Sequence, residues 1–168
     1  MTIDRPVVFL GGKRIYLRPL LESDIPHLMR WINDSSVTKF LEAYMPMFEA
    51  NERQFLESVS KNPTEVVLAI VLVDGDRVIG TMGLHRINML HRFASTGAMI
   101  GEKDCWNMGY GTEAKMLLLQ WAFTELNLRK ITSSVLIFNR RSAAYLAKCG
   151  YKVVGVYKRH HFVRGKYV

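Results

Sequence analysis

Between Met99 and Ala114 the sequence passes from apolar, strand-like residues into a glycine-bearing loop that opens directly into a helical pattern. The first N–H groups of a helix have no partner inside it and point outward. The helix dipole adds partial positive charge at the same end. Gly109 and Gly111 carry no side chain, so a ligand can approach the backbone closely. Asn107, Met108, Gly109, Tyr110, Gly111 and Thr112 therefore form an anion site suited to a diphosphate. A plain tight turn would carry the same glycine pair, so the loop alone does not decide the matter. No Lys-Ser/Thr pair follows the glycines, which excludes a P-loop. Glu113 and Ala114 stand where the dinucleotide fingerprint needs its third glycine, which excludes that fold as well.

Other residue types that do chemistry are sparse. Cys105 and Cys149 form no CxxC pair, and reduced thiols, at least one of them buried, are expected rather than a metal site. His160 and His161 are adjacent; on a strand their side chains would point to opposite faces and not share a metal. The net charge of +8 is unevenly placed: residues 127–168 hold ten Lys or Arg and no Asp or Glu. That asymmetry suits an anionic partner, whether a phosphorylated cofactor, RNA or an acidic surface, and also suits a merely solvated face. No apolar run approaches the roughly 20 residues of a membrane span. Val7–Leu10 is too short for the apolar part of a secretory signal. A cytoplasmic protein without a membrane partner is expected.

The elements that must position the loop read as follows. Arg14–Pro19 reads as a strand. Ser23 and Asp24 are offered as helix caps, with Pro26 in the first turn; Ile25, Leu28, Met29 and Ile32 recur at helical spacing, which predicts a helix over 24–32. Two short helices are predicted at 35–41 and 49–60, with a loop around Tyr44–Pro46. Glu65–Val73 is almost wholly apolar and reads as a strand covered on both faces. Asp74-Gly75-Asp76 signals a turn, and Arg77–Ile87 returns as the second strand of a hairpin. Phe93–Ile100 is another strand. The helix after the loop runs to about Leu126, with Ala114, Leu117, Leu118, Trp121 and Ala122 on one face. A strand at Ile131–Phe138, a helix at Asn139–Lys148 capped by Asn139 and closed by Gly150, and a strand at Tyr151–Phe162 complete the pattern. Arg164-Gly165 reads as a turn. A single α/β (α+β) domain with a mixed sheet is expected over residues 1–168.

Trp106-Asn107-Met108-Gly109-Tyr110-Gly111 resembles the acetyl-coenzyme A motif Q/R-x-x-G-x-G/A of GNAT acyltransferases. Trp106 in place of Gln or Arg is similar to the branch that acetylates ribosomal-protein N-termini (RimJ/RimL-like) and its polyamine and antibiotic relatives. Downstream, Asn139-Arg140-Arg141-Ser142 and Lys148-Cys149-Gly150-Tyr151 resemble that family's second motif. The resemblance implies a mostly antiparallel sheet flanked by helices, with a central pair of strands, 93–100 and 131–138, splayed around the pantetheine arm. It implies N-acetyl transfer from acetyl-CoA to a primary amine, a protein N-terminus or a small molecule, without a metal. Met99 and Ile100 would hold the arm and polarise the thioester, the 107–112 amides would bind the diphosphate, Asn139 would meet the pantetheine, and Arg140 or Lys148 the adenosine phosphates. Phe40, Tyr44 and His85 would contact the acceptor. A homodimer is compatible with the resemblance, and a nucleic-acid partner is not expected.

The proton carriers depart from the family pattern. The usual tyrosine acid falls on Leu146, with Tyr145 one residue early, which turns a helical side chain by roughly 100°; Ser142 is the other candidate acid. Ser95 stands where relatives of this branch carry a glutamate base, and a serine is a poor base. His85, on the preceding strand, is the alternative. These departures keep open a second reading, a non-catalytic acyl-CoA-binding module, and the basic C-terminal part keeps open a third, RNA binding. The family also inserts a further strand after the final hairpin, where this sequence ends at Val168; that strand would have to follow or come from another chain.

Overall fold

The computed structural model describes residues 7–41 and 43–168. The chain divides after Ser133 into two compact units. The first is built on a six-stranded sheet in the order β1 to β6: β1 Leu10–Gly11, β2 Ile15–Pro19, β3 Val66–Leu72, β4 Val78–Asn88, β5 Phe93–Ile100 and β6 Lys130–Thr132. Every neighbouring pair is antiparallel except β5–β6, which is parallel. Helices α1 (Ile25–Ile32), α2 (Ser35–Thr38) and α3 (Glu49–Lys61) lie between β2 and β3 in sequence, and α4 (Tyr110–Thr124) follows β5.

β3 is apolar throughout because both of its faces are covered. Leu68 and Ile70 join Ile15, Leu17, Met82 and Leu84 in one core, which Ala114, Leu118 and Ala122 of α4 close. Ala69 and Val71 point the other way, into a second core with Tyr16, Val78 and, from α1, Leu28 and Trp31. The alternation is the period-2 geometry of a strand read onto two layers. The β3–β4 turn needs left-handed backbone, and Gly75 (φ 75) and Asp76 (φ 49) supply it; Asp76 Oδ1 accepts from the Tyr16 hydroxyl at 2.9 Å.

Two local expectations are corrected. Asp24 does not cap α1 with its side chain. Its carboxylate instead accepts from Arg18 Nη1 and Nη2 at 2.7 and 2.8 Å, in the interior, and from the part-buried Leu21 amide at 2.8 Å. The strand expected over Ile131–Phe138 is confined to β6, because its parallel ladder with β5 ends at Ser95–Thr132. Past that point a side chain takes over, the Ser133 hydroxyl donating to the Thr96 carbonyl at 3.3 Å.

The second unit begins with α5 (Arg140–Lys148), followed by a hairpin of β7 (Phe162–Val163) and β8 (Lys166–Tyr167) turning at Arg164 (φ 50) and Gly165 (φ 83). The Asn139 side chain caps α5, accepting from the Ser142 amide at 3.1 Å. Gly150 (φ 87) ends it in the left-handed conformation. The strand expected over Tyr151–Phe162 is not formed before Phe162: residues 151–157 have no ladder partner among the described residues. β-propensity alone does not hold a strand whose amides are unpaired. His160 and His161, outside any strand, meet edge to face with ring centroids 4.7 Å apart instead of pointing to opposite sides.

Candidate active site

The glycine loop is held from both ends. Gly101, leaving β5, lies under the Trp31 indole: a Cβ there would fall 2.0 Å from a ring carbon. Glu102 is buried and ties three groups together. It accepts from Trp31 Nε1 at 2.9 Å, from Arg77 at 2.9 Å and from the Arg30 guanidinium. Burial alone would raise the Glu102 carboxyl; the bonds from Trp31 and Arg77 and the Arg30 charge hold it below the usual range. Arg77 also grips Asp104 through two bonds of 2.7 and 2.8 Å, and the Lys103 ammonium reaches Asp34 at 2.6 Å. Trp106, where the family motif has Gln or Arg, donates its Nε1 to the Ile100 carbonyl at 2.7 Å. That carbonyl is therefore already engaged.

The loop then turns through two left-handed residues, Asn107 (φ 61) and Gly109 (φ 84), into α4. The first i−4 bond of the helix is the Glu113 amide to the Gly109 carbonyl, so the Tyr110 and Gly111 amides have no carbonyl one turn back. Arg14 braces this end. Its guanidinium lies 4.8 Å from the Tyr110 ring centroid and donates to the Met108 carbonyl at 2.8 Å and to Glu113 at 2.8 Å. Glu113 also accepts from the Lys13 and Arg14 amides, both at 2.8 Å. Exposed amides, left-handed glycine and a half-exposed guanidinium together can hold an anion. Sequence reasoning missed Arg14 and Glu113; the basic pair Lys13-Arg14 just ahead of a strand was the available signal.

Glu113 gives a pH-dependent prediction. Burial opposes its ionisation, but the Arg14 and Lys13 contacts hold its carboxyl below the usual range. A carboxyl depressed on folding stabilises the protein above its unfolded value, and that stability is lost as pH falls through the folded value. Glu113→Gln should cost about 1 kcal/mol at pH 7. The gap to the parent protein should close in urea titrations below about pH 4.

Beyond Ser95, β5 is paired by β4 but not by β6, which leaves one edge of Gly97–Ile100 outside the ladder. On the face shared with Trp31 lie Thr81, Gly83 and His85 of β4 and, opposite them in register, Met99, Gly97 and Ser95 of β5. The Ser95 hydroxyl is buried and committed: it donates to the His85 carbonyl at 3.2 Å and accepts from two Arg86 nitrogens at 3.3 Å. His85 Nδ1 bonds to Glu65, a residue sequence reasoning did not single out.

Phe40 is half-buried with the Lys39 ammonium 4.8 Å from its ring centroid, whereas Tyr44 is exposed. The loop after Tyr44 is clamped by Asn33, whose side chain bonds both the Met47 amide and carbonyl. An open groove of about 580 Å³ lies between this loop and α3, lined by Met45, Phe48 and Phe55 among others; no residue of the glycine loop borders it. In the second unit, the Asn139 side-chain oxygen already accepts the capping bond, and its amide hydrogens and second lone pair remain for a ligand. Tyr145 is raised above the usual phenol range by burial, with Tyr151 and Cys149 adding to it. Leu146 is buried, and Lys148 is exposed.

Residues 14–152 match the family model of the acetyltransferase (GNAT) domain. The chain belongs to the GNAT acetyltransferase family. As members of that family do, this acetyltransferase uses acetyl-CoA as co-substrate and transfers the acetyl group to an amine. It is 30% identical to the probable N-acetyltransferase YjcK of Bacillus subtilis, over 93% of this chain and 90% of that protein. It is 25% identical to the spermidine N(1)-acetyltransferase of Escherichia coli, over 91% and 81%. Its fold is similar to that of the Vibrio cholerae spermidine N-acetyltransferase solved with CoA and spermine (TM-score 0.84, 22% identity, 93% and 91% covered). Among the described residues, no helix is long and apolar enough to cross a membrane.

Proposed function

We propose that the acceptor is a primary amine carrying a single positive charge, a protein N-terminus or a small amine. This is the chemistry of the branch that acetylates ribosomal-protein N-termini. The supporting observation is electrostatic. The protein carries a net +8, and the carboxylates around the glycine loop, Glu102, Asp104 and Glu113, are each already paired with an arginine. A polycation would find its second charge without an unengaged carboxylate among these three, although a relative of this chain is named a spermidine N(1)-acetyltransferase.

In this reading the amides of residues 107–112, with Arg14 beside them, hold the diphosphate. The unpaired edge of β5 at Met99 and Ile100 receives the pantetheine arm. Asn139, Arg140 and Lys148 serve the rest of the cofactor. Tyr145 and Ser142 are the candidate donors to the departing thiolate; burial keeps the Tyr145 phenol protonated and at the same time makes it a weaker acid. The family match crosses Ser133, which supports one N-acetyltransferase domain over the whole chain. Cys105 and Cys149 are buried and form no disulfide, which suits the cytoplasm.

Free thiol release from acetyl-CoA should be followed across peptides with varied N-termini, small primary amines and spermidine. Turnover led by peptides or monoamines is expected. A kcat/KM for spermidine more than about tenfold above all of them would overturn the acceptor reading, and silence toward every amine would overturn acetyl transfer itself. Sizing chromatography of the same sample decides between monomer and homodimer.

A further inference from the structure

We propose that Glu65 and His85 form a dyad that takes the proton from the incoming ammonium, a role no family position supplies here. The inference rests on the acetyl-transfer reading above and names its base.

The register that pairs Val66 with Leu84 brings Glu65 beside His85 across the β3–β4 edge. Glu65 Oε2 bonds His85 Nδ1, and its Oε1 accepts from the Arg86 amide at 3.2 Å. A carboxylate on Nδ1 favours the tautomer that leaves the lone pair on Nε2. Nε2 lies over two glycines: a Cβ on Gly97 would fall 2.9 Å from it, and one on Gly83 3.0 Å. Any side chain at either position would displace the ring. Among the described residues none bonds Nε2, and the side chain is 34% exposed. The neighbouring hydroxyl, Ser95, is engaged with Arg86 and cannot compete.

Distance supports the role. Along β5 the step from Gly97 to Met99 on the same face is about 7 Å. An amine nitrogen about 3 Å from Nε2 would leave about 4 Å of that step to a thioester carbonyl held at Met99, close to attack range. Nε2 takes one proton from the ammonium and passes it to solvent. The freed lone pair forms the C–N bond, the C–S pair leaves with sulfur, and the second N–H proton ends on the thiolate.

His85→Gln should lower kcat by about 100-fold or more with the best acceptor of the panel, while acetyl-CoA binding by calorimetry stays within about twofold. Glu65→Gln should lower kcat by about tenfold. Exogenous imidazole should restore His85→Ala by at least tenfold, which a packing role would not produce. An active parent enzyme with an equally active His85→Gln variant, or a loss that imidazole does not restore, overturns the dyad alone. A parent enzyme silent toward every amine overturns the dyad together with the reading beneath it.

Discussion

Gly111→Asp should abolish acetyl-CoA binding while leaving the fold intact. Gly111 is the second residue of α4, and a Cβ there meets only the Ile100 side chain, at an ordinary 3.7 and 3.9 Å. Its backbone is not left-handed, so an aspartate adds no strain. An acid in the first helical turn is in fact favoured by the dipole, by roughly 0.3–1 kcal/mol. The thermal midpoint of the ligand-free protein should therefore stay level or rise. The same carboxylate would sit among the amides proposed to hold the diphosphate. One unit of like charge about 5 Å away costs about 3 kcal/mol at an effective dielectric near 20, which is over 100-fold in affinity. The KM for acetyl-CoA should rise by at least that factor, and CoA should no longer raise the melting temperature. Gly111→Asn, neutral and of the same shape, separates charge from bulk and should lose about tenfold at most. Undiminished CoA affinity in Gly111→Asp would mean that the diphosphate binds elsewhere.

Asp24→Ala should be the most destabilising single change considered. Asp24 and Arg18 are 2% and 7% exposed and share two hydrogen bonds. Removing the carboxylate leaves a guanidinium in the interior with no counter-charge and frees the Leu21 amide. Breaking a buried pair from one side costs about 3–5 kcal/mol, or roughly 10 °C of melting temperature for a chain of this size. The double variant Arg18→Met/Asp24→Leu should recover most of the loss, because no isolated charge remains. Equilibrium urea unfolding of the three proteins is the measurement. A loss below about 1 kcal/mol in Asp24→Ala would show that water reaches the guanidinium. The pair joins β2 to the start of α1, the helix whose Trp31 roofs Gly101, so its effect should extend to the glycine loop.

Asp24 also shows where local reading fails. An acid ahead of Pro26 and an apolar helical run looks like a cap. Whether it caps or pairs depends on Arg18, whose side chain reaches it only once a strand and a helix pack together. The same holds for Glu113, noted in the sequence only for standing where a third glycine would be needed, which clasps Lys13 and Arg14 about a hundred positions away. Tyr151–Tyr157 makes the converse point. Its Val- and Tyr-rich composition suits a strand, yet Val153 and Val154 are 88% and 90% exposed and no ladder forms there.

What the amino-acid order settles by itself is local: the apolar period that makes β3 and α4, the Asp74–Asp76 turn, and the glycines that let a backbone coil left-handed into a helix and present its amides. These follow from φ/ψ sterics and side-chain period, which need no distant partner. Which polar groups meet was decided only by tertiary packing: Glu102 between Arg30, Trp31 and Arg77, Arg14 beside the loop, Glu65 behind His85. Each joins residues far apart in the chain. A charge buried in such contacts is tolerable only when the fold delivers its partner to hydrogen-bonding distance.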